Sequence, residues 1–123
     1  MAKILVVDDL RYIRERLYEF ISRERQEVVT AKDGMEALDT LITGGIDLVV
    51  TDLGMPNLNG YQLIDMLGNF RFPKLVVFAG GYQQRDILYK GPLRTLDKFR
   101  HHEEDVVKAI EELLNTKLAT PAL

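Results

Sequence analysis

Ile46-Asp47-Leu48-Val49-Val50-Thr51-Asp52-Leu53-Gly54-Met55-Pro56-Asn57-Leu58-Asn59-Gly60 joins a short apolar run to a carboxylate and then, at once, to a loop. The run is continuous rather than alternating, as a strand covered on both faces must be. It is too short for a buried helix, so Ile46 to Thr51 is expected to be a strand with Asp52 at its carboxyl end. Gly54, Pro56, Asn57, Asn59 and Gly60 mark the loop by composition. Strands buried on both faces belong to parallel sheets, whose connections are helices.

The flanking sequence repeats this plan. Lys3 to Val7 is a second continuous run, and it ends on Asp8-Asp9. From Leu10 to Arg23, Ile13, Leu17, Phe20 and Ile21 recur at helical spacing, with arginines and glutamates on the other face. Glu27 to Ala31 reads as a short β-branched strand. Asp33-Gly34 then opens a helix carrying Leu38, Leu41 and Ile42, which Gly44-Gly45 stops. A third helix runs from Tyr61 to about Asn69 with Leu63, Ile64 and Leu67 inward. Leu75 to Phe78 is the fourth strand, broken by Gly80-Gly81. Tyr82 to Tyr89 leaves room for about two helical turns before Gly91-Pro92. Leu93 to Asp97 is a fifth strand. The last helix, Glu103 to Asn115, opens on Glu103, Glu104 and Asp105, where negative charge suits the positive end of the helix dipole. Its stripe is Val106, Val107, Ile110, Leu113 and Leu114. Five βα units in one doubly wound α/β sheet therefore fill residues 1–115, with 116–123 as a short tail.

Composition bounds the function. A chain of 123 residues supports one core, and 46% apolar with 28% charged residues is ordinary for a globular domain. No apolar run approaches the roughly 20 residues needed to cross a bilayer, and no signal-peptide pattern opens the chain, so a cytoplasmic location is expected. The absence of cysteine removes disulfides, thiolate metal sites and cysteine nucleophiles. A net charge of -3 offers no field to attract nucleic acid or an anionic membrane.

In open parallel sheets the working site lies beyond the carboxyl ends of the strands, near the reversal of strand order. Asp8, Asp9, Asp52 and Lys98 all fall there. Carboxylates packed together repel and raise one another's pKa, and a hard divalent cation relieves this. An aspartate in such a cluster can attack phosphorus. Other chemistries fit less well. Adjacent His101 and His102 do not face the same way on a helix and have no evident third ligand, so no zinc site is expected. A glycine-rich dinucleotide turn is missing where Asp8-Asp9 stands. A small aspartyl phosphatase needs a second aspartate two residues beyond its nucleophile, and that place is Gly54.

From Lys3 to Leu114 the chain resembles the response-regulator receiver domain of two-component signalling. The resemblance is carried by Ile4-Leu5-Val6-Val7-Asp8-Asp9, Asp33-Gly34-Met35-Glu36-Ala37-Leu38, Asp47 to Pro56 closing at Gly60, and Leu96-Asp97-Lys98. It implies a flavodoxin-like, three-layer αβα fold with strand order 2-1-3-4-5. It also implies that Asp52 is a phosphoacceptor supplied by a sensor histidine kinase or histidine phosphotransferase. Asp9 and Asp52 would ligate Mg²⁺ or Mn²⁺ directly and Asp8 through water, with the Gly54 carbonyl filling a further position. Lys98 would pair with Asp52 and then with a phosphoryl oxygen. Such a domain is no enzyme beyond its own phosphorylation and dephosphorylation, and it signals in trans to a downstream protein.

The chain departs from that pattern at the switch. Ala79 stands where a Ser or Thr hydroxyl is usual, Thr95 where an aromatic is favoured, and Phe99 where proline commonly follows the lysine. Tyr82 carries the nearest downstream hydroxyl, and the Gly80 and Gly81 amides could replace part of the missing contact. A hydrogen bond to a charged group is worth about 1.5–3 kcal/mol, so its loss weakens a phosphate-stabilised state by about one to two orders of magnitude. The rival expectation is a degenerate receiver that binds a protein partner regardless of phosphorylation.

Overall fold

The computed structural model describes residues 1–55, 57–80, 87–98 and 102–115. Along the chain run β1 (Lys3–Val7), α1 (Arg11–Ser22), β2 (Glu27–Ala31), α2 (Gly34–Thr43), β3 (Leu48–Asp52), α3 (Gly60–Met66) with a 3-10 turn (Leu67–Phe70), β4 (Lys74–Ala79), β5 (Leu93–Asp97) and α4 (Glu103–Asn115). All strand pairs are parallel, in the order β2-β1-β3-β4-β5. This is the expected flavodoxin-like sheet, with its order reversing between β1 and β3.

Strand alternation sends successive side chains into two cores. Ile4, Val6, Leu48, Val50, Val76 and Phe78 pack against Leu17, Phe20 and Ile21 of α1 and Val106, Ala109, Ile110 and Leu113 of α4. Leu5, Val7, Val49, Leu75 and Val77 pack against Ala37 and Leu41 of α2 and Leu63 and Ile64 of α3. The layers explain why β1 and β3 read as unbroken apolar runs. Neither face is wet.

Several boundaries differ from the sequence reading for local reasons. β3 begins at Leu48 rather than Ile46, because Asp47 turns the chain in: its side chain accepts the Lys3 N–H at 2.8 Å and its N–H donates to the Lys3 carbonyl at 2.9 Å. At the other end the strand takes in Asp52 itself. α3 starts at Gly60 because Asn59 and Gln62 form a reciprocal cap, both bonds at 2.9 Å. It tightens into the 3-10 turn before Arg71 and Phe72, which adopt positive φ of 65° and 50°. β4 gains Lys74 and Ala79.

Of the apolar residues expected in α2, Leu41 is buried on the inward face beside Ala37, whereas Ile42 is 67% exposed. The helix expected over Tyr82 to Tyr89 falls mostly on 82–86, outside the described residues, and 87–89 are not helical. The tail 116–123 also lies outside them.

Leu113→Ala is expected to cost about 2–5 kcal/mol, and Ile42→Ala to stay within about 0.5 kcal/mol. Urea midpoints at constant slope measure both, and a large loss for Ile42→Ala would contradict its exposed position.

Candidate functional site

The register of β1 on β3 builds the site. Val7 pairs with Thr51, so Asp8 and Asp52 leave the sheet at one level. On the other side Asp52 pairs with Phe78, and Ala79 with Asp97, which brings the turn at Lys98 to the same edge. Asp8, Asp9 and Asp52 each offer a carboxylate oxygen, and these oxygens lie within 4.8 Å of one another. Asp8 and Asp52 are buried, and Asp9 is exposed.

Each buried carboxylate is held by short bonds. Asp52 accepts the Lys98 ammonium on Oδ2 at 2.7 Å and the Leu53 N–H on Oδ1 at 2.7 Å. Asp8 accepts the Leu10 N–H on Oδ1 at 2.9 Å. Burial raises the Asp8 carboxyl above its ordinary value; the Leu10 N–H opposes this, while the negative charges of Asp52 and Asp9 add to it. Desolvation thus outweighs the like-charge repulsion expected from sequence. Lys98 is raised, first by its hydrogen bond to Asp52.

The loop after β3 needs two close approaches. A Cβ on Gly60 would stand 2.3 Å from the Asp52 carbonyl oxygen, and one on Gly34 would stand 2.3 Å from the Leu58 carbonyl oxygen. Asp33 ties these segments together: Oδ1 caps α2 through the Glu36 N–H at 2.8 Å, and Oδ2 accepts the Asn57 amide at 3.1 Å. The Glu36 N–H is the main reason the Asp33 carboxyl is held below its ordinary value. Asn57 itself sits at φ 66°. Asp33-Gly34 therefore does more than turn the chain.

Ala79 closes β4, and its carbonyl accepts the Lys98 N–H at 3.1 Å. Its methyl group brings no hydroxyl to the edge. Thr95 is exposed on β5 opposite Val77. Gly54 follows Asp52 in the exposed part of the loop, and Gly80 follows Ala79. Gly81, Tyr82, Phe99 and His101 lie outside the described residues. His102 is exposed, and its N–H donates to Asp105 Oδ2 at 2.8 Å, capping α4. Among the described residues the metal-capable group is Asp8, Asp9 and Asp52.

Two contacts were not anticipated from sequence. Arg14 donates from Nη1 to the Asp8 carbonyl at 2.9 Å, although α1's arginines read as a solvated face. The Tyr89 hydroxyl donates to the Pro73 carbonyl, fastening the approach to β5, and its ring meets Phe72 edge-on at 5.5 Å. Burial pushes the Tyr89 phenol up. The signal for Arg14 was its place one turn into a helix that begins beside Asp8-Asp9.

A family model described as response regulator receiver domain matches residues 4–90. The chain belongs to the response regulator receiver domain family. Response regulator GtcR of Aneurinibacillus migulanus is 35% identical over 89 residues, which is 72% of this chain and 37% of that protein. Sensory transduction protein LytT of Bacillus cereus is 33% identical over 86 residues, 68% of this chain and 35% of the relative. This receiver chain thus spans about a third of the length of the curated relatives it matches. Among solved structures, a receiver domain protein of Clostridium thermocellum superposes with a TM-score of 0.79 at 25% identity, covering 94% of this chain and 95% of that one. Response regulator TrrA of Thermotoga maritima, solved in complex with Mg²⁺-BeF, gives 0.77 at 27% identity, covering 92% and 99%.

Because the folded receiver holds the Asp8 proton more tightly than a carboxyl at the ordinary 3.8, stability falls as pH rises from 3.8 through the raised value and stays lower above it. Asp8→Asn is therefore expected to raise the unfolding temperature of metal-free protein at neutral pH, and to lose that advantage below 3.8. Melts in chelator across pH check this. Gly60→Ala is expected to cost about 1–3 kcal/mol or more through overpacking against the Asp52 carbonyl, read from denaturant midpoints.

Proposed function

We propose that this receiver domain accepts a phosphoryl group at Asp52 in a Mg²⁺-dependent phosphorelay. The observation that carries the reading is the convergence of Asp8, Asp9 and Asp52 within 4.8 Å, with Lys98 paired to Asp52 at 2.7 Å. The donor set is oxygen only, and one buried member is raised by burial and like charge, which fits a hard divalent cation. Asp9 and Asp52 would hold the ion directly, Asp8 through water, and the Gly54 carbonyl would supply another ligand; Mn²⁺ suits the same donors. When bound, the cation neutralises charge on the transferring oxygens.

The chain's own residues do the rest. An Asp52 carboxylate oxygen attacks phosphorus of a phosphohistidine on a sensor histidine kinase or histidine phosphotransferase. The O–P bond forms, the N–P bond breaks, and the imidazole leaves. Lys98 moves its charge from Asp52 to a phosphoryl oxygen, as a flexible ammonium can. Leu53 N–H holds the other carboxylate oxygen, so the nucleophile is oriented before attack. The complex of TrrA with Mg²⁺-BeF, on a relative of like fold, supports this reading. Beyond its own phosphorylation and dephosphorylation the domain is a regulator, acting on a downstream protein in the cytoplasm. No helix among the described residues is long and apolar enough to cross a membrane.

A second reading, a degenerate receiver that binds its partner without phosphorylation, is favoured by Ala79 and the exposed Thr95. The two readings part under a beryllofluoride mimic. Amide NMR shifts spreading from Asp52 to Leu93–Lys98 are expected for a responsive receiver; shifts confined to the acidic pocket favour the second reading.

With Mg²⁺ and acetyl phosphate, intact protein is expected to gain the mass of one phosphoryl group, and Asp52→Ala none. Lys98→Ala is expected to slow the gain by about ten- to a hundredfold, the worth of a charged hydrogen bond. A gain that persists in Asp52→Ala moves the acceptor elsewhere.

A further inference from the structure

We infer that Arg14 is a positioning residue for the acidic pocket: its guanidinium fixes the peptide joining Asp8 to Asp9, and through that peptide sets the pocket's affinity for a divalent cation. The inference deepens the proposed function and rests on it.

The arginines of α1 divide by partner. Arg11 pairs with Glu15 at 2.7 Å, Arg16 with Glu103 at 2.5 Å, and Arg23 with Glu19 at 2.6 Å, all between exposed side chains. Arg14 is half-buried and reaches back past the start of its own helix to the Asp8 carbonyl at 2.9 Å. That oxygen belongs to the planar unit between Asp8 and Asp9, so holding it restricts rotation on both sides. Asp8 is also held at its N–H, which donates to the Ala31 carbonyl at 3.1 Å, and at Oδ1 by the Leu10 N–H at 2.9 Å. With the residue anchored at both ends, Asp9 leaves the peptide in a set direction. Asp9 is the exposed member of the cluster, and no packing could aim it otherwise.

Charge and hydrogen bonding act in opposite directions here. A guanidinium is always charged, and its field near the pocket opposes an arriving cation. Its bond to the peptide instead pre-pays the ordering of two ligands. Partners that orient ligands in this way typically change metal affinity by about 10–100-fold, and a bond to backbone rather than to the carboxylate itself belongs at the lower end. Ordering therefore wins.

The test titrates Mg²⁺ into the whole chain, followed by amide shifts of Asp8, Asp9 and Asp52, with melts in chelator as the stability control. Arg14→Met, which removes both charge and donor, is expected to weaken Mg²⁺ binding about tenfold while the metal-free unfolding temperature changes little. Arg14→Lys, whose ammonium can still donate to the Asp8 carbonyl but lacks the planar fork, is expected to fall between because part of the ordering bond is kept. Asp9→Ala marks loss of the site. Equal affinity for Arg14→Met and wild type, with Asp9→Ala inactive in binding, overturns the role of Arg14 alone. Affinity and metal-free stability falling together in both Arg14 variants shows a structural role and overturns it too. No saturable shift in the wild type overturns the pocket reading and this inference with it. Should Arg14→Met not fold, Arg14→Lys decides by the same criteria.

Discussion

Carboxylates gathered within 4.8 Å, two of them buried, are the condition that the rest of this domain is arranged to tolerate. Burying a charge is costly unless it is paired and hydrogen-bonded. Asp52 meets that demand with an ammonium and a backbone N–H, Asp8 with a backbone N–H and a restrained peptide. What remains unrelieved is visible in the raised Asp8 carboxyl. A site that keeps such a residual cost would release free energy on binding a cation, as the proposed function requires. Local destabilisation of this kind is common where function needs it.

Rigidity of the sheet makes the arrangement possible. The Val7–Thr51 and Asp52–Phe78 pairings fix where the strand ends stand, and cores on both faces fix the sheet. The loops then need only small adjustments. Gly60 lets α3 begin against the Asp52 carbonyl, and Gly34 lets α2 begin against Leu58. Asp33 and Asn57 join the segments before those two helices, so the loop after β3 is braced from a neighbouring unit.

Much of this is legible in the amino-acid sequence. β1, β2, β5 and α4 fall on their expected bounds because apolar runs, β-branched residues and an acidic helix start are local signals. The meeting of Asp8, Asp9 and Asp52 was legible too, since strand ends of a parallel sheet share an edge. That Leu41 is buried and Ile42 exposed was not legible, because an apolar residue in a helix carries no label of which side it takes; only the position of Ala37 and Leu41 on the sheet settles that. The Asp47 contacts that shorten β3, the Arg14 bond to Asp8 and the Tyr89 bond to Pro73 join residues through side-chain reach. Periodicity does not encode reach.

At Ala79 and Thr95 the requirements of the proposed chemistry and of a proposed response come apart. Attack at phosphorus needs the carboxylate, the cation and the ammonium, and the first and last already stand together at 2.7 Å. Propagation needs something that moves when the charge at Asp52 changes. Ala79 has no donor with which to follow a phosphoryl oxygen, and Thr95 is already exposed, so it has no buried position to give up. Among the described residues, and under the proposed reading, the group left to report the change would be Lys98, whose side chain would leave Asp52 while its backbone N–H is held by the Ala79 carbonyl at 3.1 Å. That bond ties the strand end carrying Ala79 to the turn carrying Lys98. Under that reading a shift of the ammonium would pass into β4 and β5 through the backbone, beside the point where the Tyr89 hydroxyl holds the approach to β5 on the Pro73 carbonyl.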